Sequence, residues 1–297
     1  MTAAELPAPQ QNSRAAPAVI AVAAALISLL VLALPSNHWT NLLAFLALGW
    51  LLPGILVVLL LRLPDTEWPA QLLYAFGLGL AWLIGGAMLV HYIPGTIERS
   101  QLLLIFGFGA LVLALLIWRR GIAPIGAGST EIWRWALVLV LLAGFLRLPG
   151  LGYHEFHADE VVLLRQARRA VQGQDDALAE HTKGPGEIAV ALAFYRAMGT
   201  TDEATARLPF ALMSIGSILA LAWLGTRMLN GATGVWAGIL LATNGFALGL
   251  SRIAQYQPAV LLLSVLAVLA MWEFAQKGER RWLNLAAVYA ISGMVMH

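Results

Sequence analysis

Apolar residues in this chain fall into long runs separated by short polar breaks. Most runs approach the roughly 20 residues that a helix needs to cross about 30 Å of hydrocarbon. The pattern predicts spanning helices at Ala18 to Leu34, Leu42 to Leu61, Gln71 to Tyr92, Gln101 to Ile117, Trp133 to Leu148, Leu208 to Leu229, Ala232 to Leu250 and Pro258 to Phe274. A ninth run opens at Leu283 and stops at His297, so the chain reads as part of a longer protein. Lipid cannot satisfy an open strand edge, so an all-α, polytopic transmembrane helix bundle is expected. A retained signal anchor, not a cleaved leader, is expected at Ala18 to Leu34 because further spans follow. No period of 20 to 50 residues repeats.

One run is too short to cross. Ile188 to Met198 has eleven residues and carries Tyr195 and Arg196 near its end, the length of an interfacial or buried segment. Loop charge arbitrates, since Lys and Arg gather on the cytoplasmic side. With the amino terminus inside and Ile188 to Met198 not crossing, Arg14, Arg62, Arg119, Arg120, Arg134, Arg227, Lys277, Arg280 and Arg281 all fall inside. The short outer loops then keep chiefly Arg99 and Arg252. The segment is therefore expected to lie flat on the outer membrane surface. The expected setting is the plasma (inner) membrane, with the loop 149–206 outside the cytoplasm. The glycine-rich stretch 119–132 reads as a cytoplasmic linker between a four-span bundle, 1–118, and a second module, 133–297.

Composition supports the class: 60% of residues are hydrophobic, 11% are charged, and the mean hydropathy is +0.78. A net charge of +2 gives no reason to expect nucleic acid as a partner. The absence of cysteine excludes disulfides, thiolate catalysis and Cys-ligated zinc.

Polar chemistry is concentrated in the outer loop. Tyr153-His-Glu-Phe-His-Ala-Asp-Glu160 puts two imidazoles and three carboxylates into eight residues. Val161, Leu164, Ala167 and Val171 follow at helical spacing, which predicts an interfacial amphipathic helix. Asp159 and Glu160 sit at its start, where exposed amides favour a carboxylate; Asp159 as a mere helix cap is the plain alternative. Further on, His181-Thr-Lys-Gly-Pro-Gly186 sets Lys183 beside backbone that Gly184 and Gly186 make flexible, an arrangement suited to a phosphate or to an ordinary solvated turn. Arg207 and Arg252 open outer helix ends, where arginines commonly snorkel to head groups. His157, Asp159 and His181 are candidate ligands for a divalent cation, although their spacing matches no specific site. His154 and His157 otherwise read as loop hydrogen-bonders, and Trp39, Trp68 and Trp82 as interface or packing aromatics.

From Trp133 to His297 these residues together resemble the GT-C membrane glycosyltransferases that use polyprenyl-phosphate sugars, in particular the protein O-mannosyltransferases and the lipid A aminoarabinose transferase. The resemblance rests on Asp159-Glu160, His181-Thr-Lys-Gly-Pro185 in place of the family's Lys-Pro-Pro, Arg207-Leu-Pro209, Gly231 after Arg227, and Ser251-Arg252-Ile-Ala. It implies that Asp159 is the catalytic carboxylate with Glu160 in support. Lys183, with Arg207 and Arg252, would hold the donor phosphate, and His157, His181 and Gln257 would support the site. The implied partners are a polyprenyl-phosphate-linked sugar, a protein, lipid or glycan acceptor, and membrane lipids. Gln257 stands where the family often has a second acid, which departs from any two-carboxylate or metal role; Gly184 replaces a proline.

Two other classes compete. A transporter or lipid flippase should carry ionisable residues in mid-span or paired broken helices. A non-catalytic membrane scaffold would use Asp159 and Lys183 structurally.

Overall fold

The computed structural model describes residues 12–34, 37–63, 67–122, 130–174, 176–180, 183–200 and 202–297. Among them there are helices and turns but no strands. The helices are α1 (Asn12–Ala33), α2 (His38–Phe45), α3 (Leu52–Leu61), α4 (Trp68–His91), α5 (Arg99–Arg120), α6 (Thr130–Arg147) and α7 (Ala158–Val171). They continue with α8 (Pro185–Met198), α9 (Glu203–Met228), α10 (Gly231–Thr243), α11 (Gly245–Ser251), α12 (Gln257–Lys277) and α13 (Arg280–Met296).

Among the described residues six stretches are long and apolar enough to cross a membrane: α1, α2 through α3, α4, α5, α9 and α12. The second is continuous because a π-helical turn, Leu46–Leu51, joins α2 to α3. The run expected at Ala232 to Leu250 is instead two helices, α10 and α11, bent by 64° at Asn244. Asn244 caps α11 by accepting the Ala247 amide at 2.9 Å, and that local bond competes with a straight helix. α6 and α13 form where runs were expected, but α6 carries Glu131, Arg134 and Arg147 in its 18 residues and α13 has only 17.

The helix ends divide into two sets. At one, the Arg62 guanidinium donates to the carbonyls of Arg120 and Gly121, and Arg281 donates to those of Leu61 (3.2 Å) and Arg62 (2.6 Å). Arg227 and Lys277 bracket Glu273 at 2.7 and 3.0 Å at the same end. This basic end holds the arginines and lysine that charge counting had grouped. The opposite end carries α7, α8 and the starts of α5, α9 and α12.

α8 corrects the expectation of a helix lying on a surface. It stays at one end of the bundle: Gly184 and Gly186 abut Val295 and Met296 of α13, while Arg196 pairs with Glu98, the residue before α5, at 2.6 Å. Both of its termini lie at this end, so it runs across the bundle without traversing it. Yet from Gly186 through Met198 every residue but Arg196 is buried, between α7 and α4 and against α9 and α13. Apart from Glu187 and Tyr195 these buried residues are apolar, and a helix apolar on nearly all sides needs protein or lipid around it; here protein supplies it.

One hydrophobic core runs from Ala25 and Phe45 through Phe194 to Leu269 and Tyr289. Within it the Tyr289 hydroxyl donates to the Tyr74 carbonyl at 2.7 Å. Tyr289→Phe keeps the ring and deletes the donor, and should lower stability in detergent by about 1 kcal/mol in thermal melts.

Candidate functional site

The start of α7 is built by a capping box. His157 is the N-cap: its Nδ1 accepts the Asp159 amide at 3.3 Å, and the Glu160 carboxylate accepts the His157 amide at 2.7 Å. Asp159 is therefore not the cap. Its carboxylate projects outward, about 61% exposed. The buried face of α7 comprises Glu160, Leu163, Leu164, Ala167 and Ala170, whereas Val161, expected on that face, is exposed.

Glu160 is wholly buried and accepts four hydrogen bonds. Arg207 of α9 donates Nε and Nη2 to its two oxygens at 2.8 Å each, in the bidentate geometry that matches guanidinium to carboxylate. The Ala254 amide adds a bond at 2.7 Å, and the His157 amide the fourth. Burial alone would push this carboxyl up, but Arg207 and the two amides outweigh it and hold the group below its ordinary value. Arg207 spends its remaining donors on the carbonyls of Leu151, His154 and Glu155 at 2.7 to 2.9 Å. A guanidinium has five N–H donors, and all five of Arg207 meet protein acceptors. Glu160 and Arg207 thus tie the loop 151–157, α7, α9 and the turn before α12 into one unit.

Among the described residues Asp159 has a single direct side-chain donor: Gln255 Nε2, at 2.9 Å from Oδ2. The next residue, Tyr256, carries Lys183 over its ring, with Nζ 5.1 Å from the centroid. The acid and the lysine are thereby anchored to consecutive residues of the one turn between α11 and α12. Tyr256 also meets the His297 ring edge-on at 4.8 Å. Gly184 and Gly186 do not loosen the turn beside Lys183. Gly184 has an ordinary extended conformation, φ −66° and ψ 148°, and a Cβ there would sit 2.2 Å from the Val295 carbonyl oxygen. The glycines serve close packing on α13.

The other residues singled out in the sequence lie as follows. Arg252 donates to the carbonyls of Leu146 and Gly150 at 3.1 and 3.3 Å, closing the end of α6. Gln257 is in the first turn of α12, its Oε1 buried without a hydrogen-bond partner among the described residues. His181 lies outside the described residues. His157 Nδ1 is 3.9 Å from Asp159 Oδ2, and among the described residues no group of three His, Cys, Asp or Glu side chains is placed to hold a metal ion.

Two structural partners were missed in the sequence. Gln255, almost fully buried, was passed over for Gln257; only the fold shows which amide reaches Asp159. Arg147 is fully buried and donates to Ser214 Oγ (2.8 Å) and to the carbonyls of Ala242 (2.9 Å) and Leu241 (3.4 Å), the last turn of α10. The negative end of α10 is what balances it, since no carboxylate among the described residues pairs with it. Nearby, the Tyr195 phenol is pushed well up by burial and by Asp202 and Glu160. Burial works against ionised Asp202, but the Thr205 amide and the hydroxyls of Thr200 and Thr205 hold it below its ordinary value at the cap of α9.

Fold and site together define an all-helical bundle with, among the described residues, six stretches long and apolar enough to span a membrane, in which a carboxylate of α7 and the lysine before α8 meet one shared turn at one end. No family model matches the chain, and neither the curated proteins nor the solved structures contain a match to it.

Proposed function

We propose that this chain is a multi-pass plasma (inner) membrane glycosyltransferase that moves a sugar from a polyprenyl-phosphate donor to a protein, lipid or glycan acceptor outside the cytoplasm. The observation that carries the reading is the anchoring of Asp159 and Lys183 to Gln255 and Tyr256. Sugar transfer from a lipid phosphate needs a base on the acceptor and positive charge on the leaving phosphate, and these two side chains supply them at one end of the bundle.

In this mechanism the acceptor oxygen attacks the anomeric carbon as the bond from that carbon to the phosphate oxygen breaks. Asp159 takes the acceptor proton. The electron pair leaves on the phosphate, whose charge Lys183 offsets, and the single displacement inverts the anomeric centre. Glu160 and Arg207 position Asp159 through α7 and contact no substrate. Arg252 positions the turn by closing α6. The basic end faces the cytoplasm, in line with the bias of Lys and Arg in membrane proteins.

Asp159→Asn and Lys183→Ala should each lower transfer from a radiolabelled polyprenyl-phosphate sugar by about 100-fold or more while leaving the melting temperature unchanged. Both side chains lie outside the buried core, so wild-type transfer by either variant rejects the role given to that residue. For sidedness, a cysteine at Gln174 should react with an impermeant reagent added to intact cells and one at Glu279 should not; the reverse labelling overturns the orientation.

A transporter is the second reading, favoured by the broken pair α10–α11 with buried Arg147 at the break. Under that reading Arg147→Leu abolishes substrate flux into vesicles, and Asp159→Asn has no effect on it.

A further inference from the structure

A second feature lies away from Asp159 and Lys183. Between α3 and α4 on one side and α6, α9 and α10 on the other is a groove of about 1450 Å³. It exceeds the roughly 300 to 1,000 Å³ of ordinary small-molecule pockets. Its walls are almost entirely apolar, with Ile55, Leu72 and Phe76 facing Leu139, Leu219 and Val235; Arg134 and Thr226 are the polar exceptions.

Depth decides what fits. On α9 the lining runs from Leu212 to Thr226, beside Arg227 of the basic end; at 1.5 Å per residue this is about 21 Å. On α4 it covers only Pro69 to Phe76, on α6 Arg134 to Val140, and on α10 Gly231 to Ile239, in each case the part of the helix toward the basic end. Half of a 30 Å hydrocarbon layer is about 15 Å, so the walls on α4, α6 and α10 fit within one leaflet and only the α9 wall reaches past the midplane. Its upper limit, Leu212, is five residues or about 7.5 Å below Arg207, so it does not reach the turn that holds Lys183.

Its charge is also specific. Arg134 is exposed, and neither a carboxylate nor a carbonyl among the described residues pairs with it. Trp135 and Trp236, also lining residues, are 43% and 63% exposed, as aromatics at a head-group boundary are. Basic pockets between helices on the cytoplasmic side bind anionic head groups.

We propose that this groove is a binding site for one anionic phospholipid of the leaflet at the basic end. Its acyl chains lie between α3–α4 and α6–α9–α10, and its phosphate lies at Arg134. The site is independent of the sugar-transfer reading.

The test is native mass spectrometry of the full chain released from nanodiscs of equal parts phosphatidylglycerol and phosphatidylcholine. Wild type should retain one phosphatidylglycerol and little phosphatidylcholine. Arg134→Gln removes an exposed cation that has no partner among the described residues, so it should fold, and should retain about fivefold less phosphatidylglycerol. Ala136→Trp, which narrows the groove and leaves the charge, should lose the lipid as well. Equal retention of the two lipids, retention of neither, or wild-type retention by Arg134→Gln overturns the proposal. If Ala136→Trp does not fold, the Arg134→Gln comparison decides alone.

Discussion

Glu160→Ala is expected to destabilise the protein by about 3 to 5 kcal/mol, the range for breaking a buried ion pair by removing one partner. Arg207 would be left with its charge buried and two donors unanswered, and the Ala254 and His157 amides would lose their acceptor. Arg207→Leu should cost a similar amount, because it also strands the carbonyls of Leu151, His154 and Glu155. The double variant removes both charges, so its loss should fall well short of the sum of the two, a coupling that melts of the four proteins in detergent would measure. The pH dependence has a defined sign. The folded Glu160 carboxyl titrates below its ordinary 4.5, so its contribution is present above that pH and is lost as the pH falls through the lower folded value. Glu160→Gln should flatten the acid limb of the stability profile. An acid limb identical to wild type would mean that the pair does not carry the linkage.

Gly79→Val should be at least as damaging, for a steric reason. α3 and α4 cross so closely that a Cβ on Gly79 would stand 2.0 Å from the Trp50 carbonyl oxygen, and one on Gly54 would stand 1.9 Å from that of Ala75. Both obstacles are backbone, so no side-chain rotation relieves them and the helices must separate. Separation would also break the Trp50 indole bond to the Phe76 carbonyl, 2.8 Å long, and the stacking of those two rings at 4.8 Å. Overpacking a core typically costs about 1 to 3 kcal/mol, and a backbone collision exceeds that. Gly54→Val and Gly79→Val should therefore fail to accumulate as folded protein in membranes. Gly85 on the same helix is the control: nothing lies within 4 Å of its Cβ position, so Gly85→Ala should be neutral or gain up to about 1 kcal/mol from helix propensity.

The positions of the long helices were legible because crossing hydrocarbon is a demand on consecutive residues. Hydropathy therefore located α4, α5, α9 and α12 to within a few positions, and the grouping of Arg62, Arg120, Arg227, Lys277 and Arg281 at one end followed from their spacing. α8 was legible as a segment that does not cross, but not as a buried one. A short apolar run looks alike whether lipid or protein surrounds it, and only the packing of α7 and α4 on its two sides decides. The break in α10–α11 was missed for a related reason: Asn244 and Gly245 interrupt an apolar run too briefly to register in a window about 20 residues wide.

At the candidate site, the sequence alone determined that Asp159, Glu160 and Lys183 belong to the single polar stretch of an apolar chain, because charges are excluded from the runs on either side. Tertiary structure decided how these residues differ. Asp159 and Glu160 are neighbours, yet the helical turn sends one outward to Gln255 and the other inward to Arg207, 47 positions away. It likewise made His157 the cap, gave Gln255 the place beside Asp159, and buried Arg147 against the end of α10. Periodicity is a property of adjacent residues, whereas a hydrogen-bond partner is fixed by which distant helix arrives alongside.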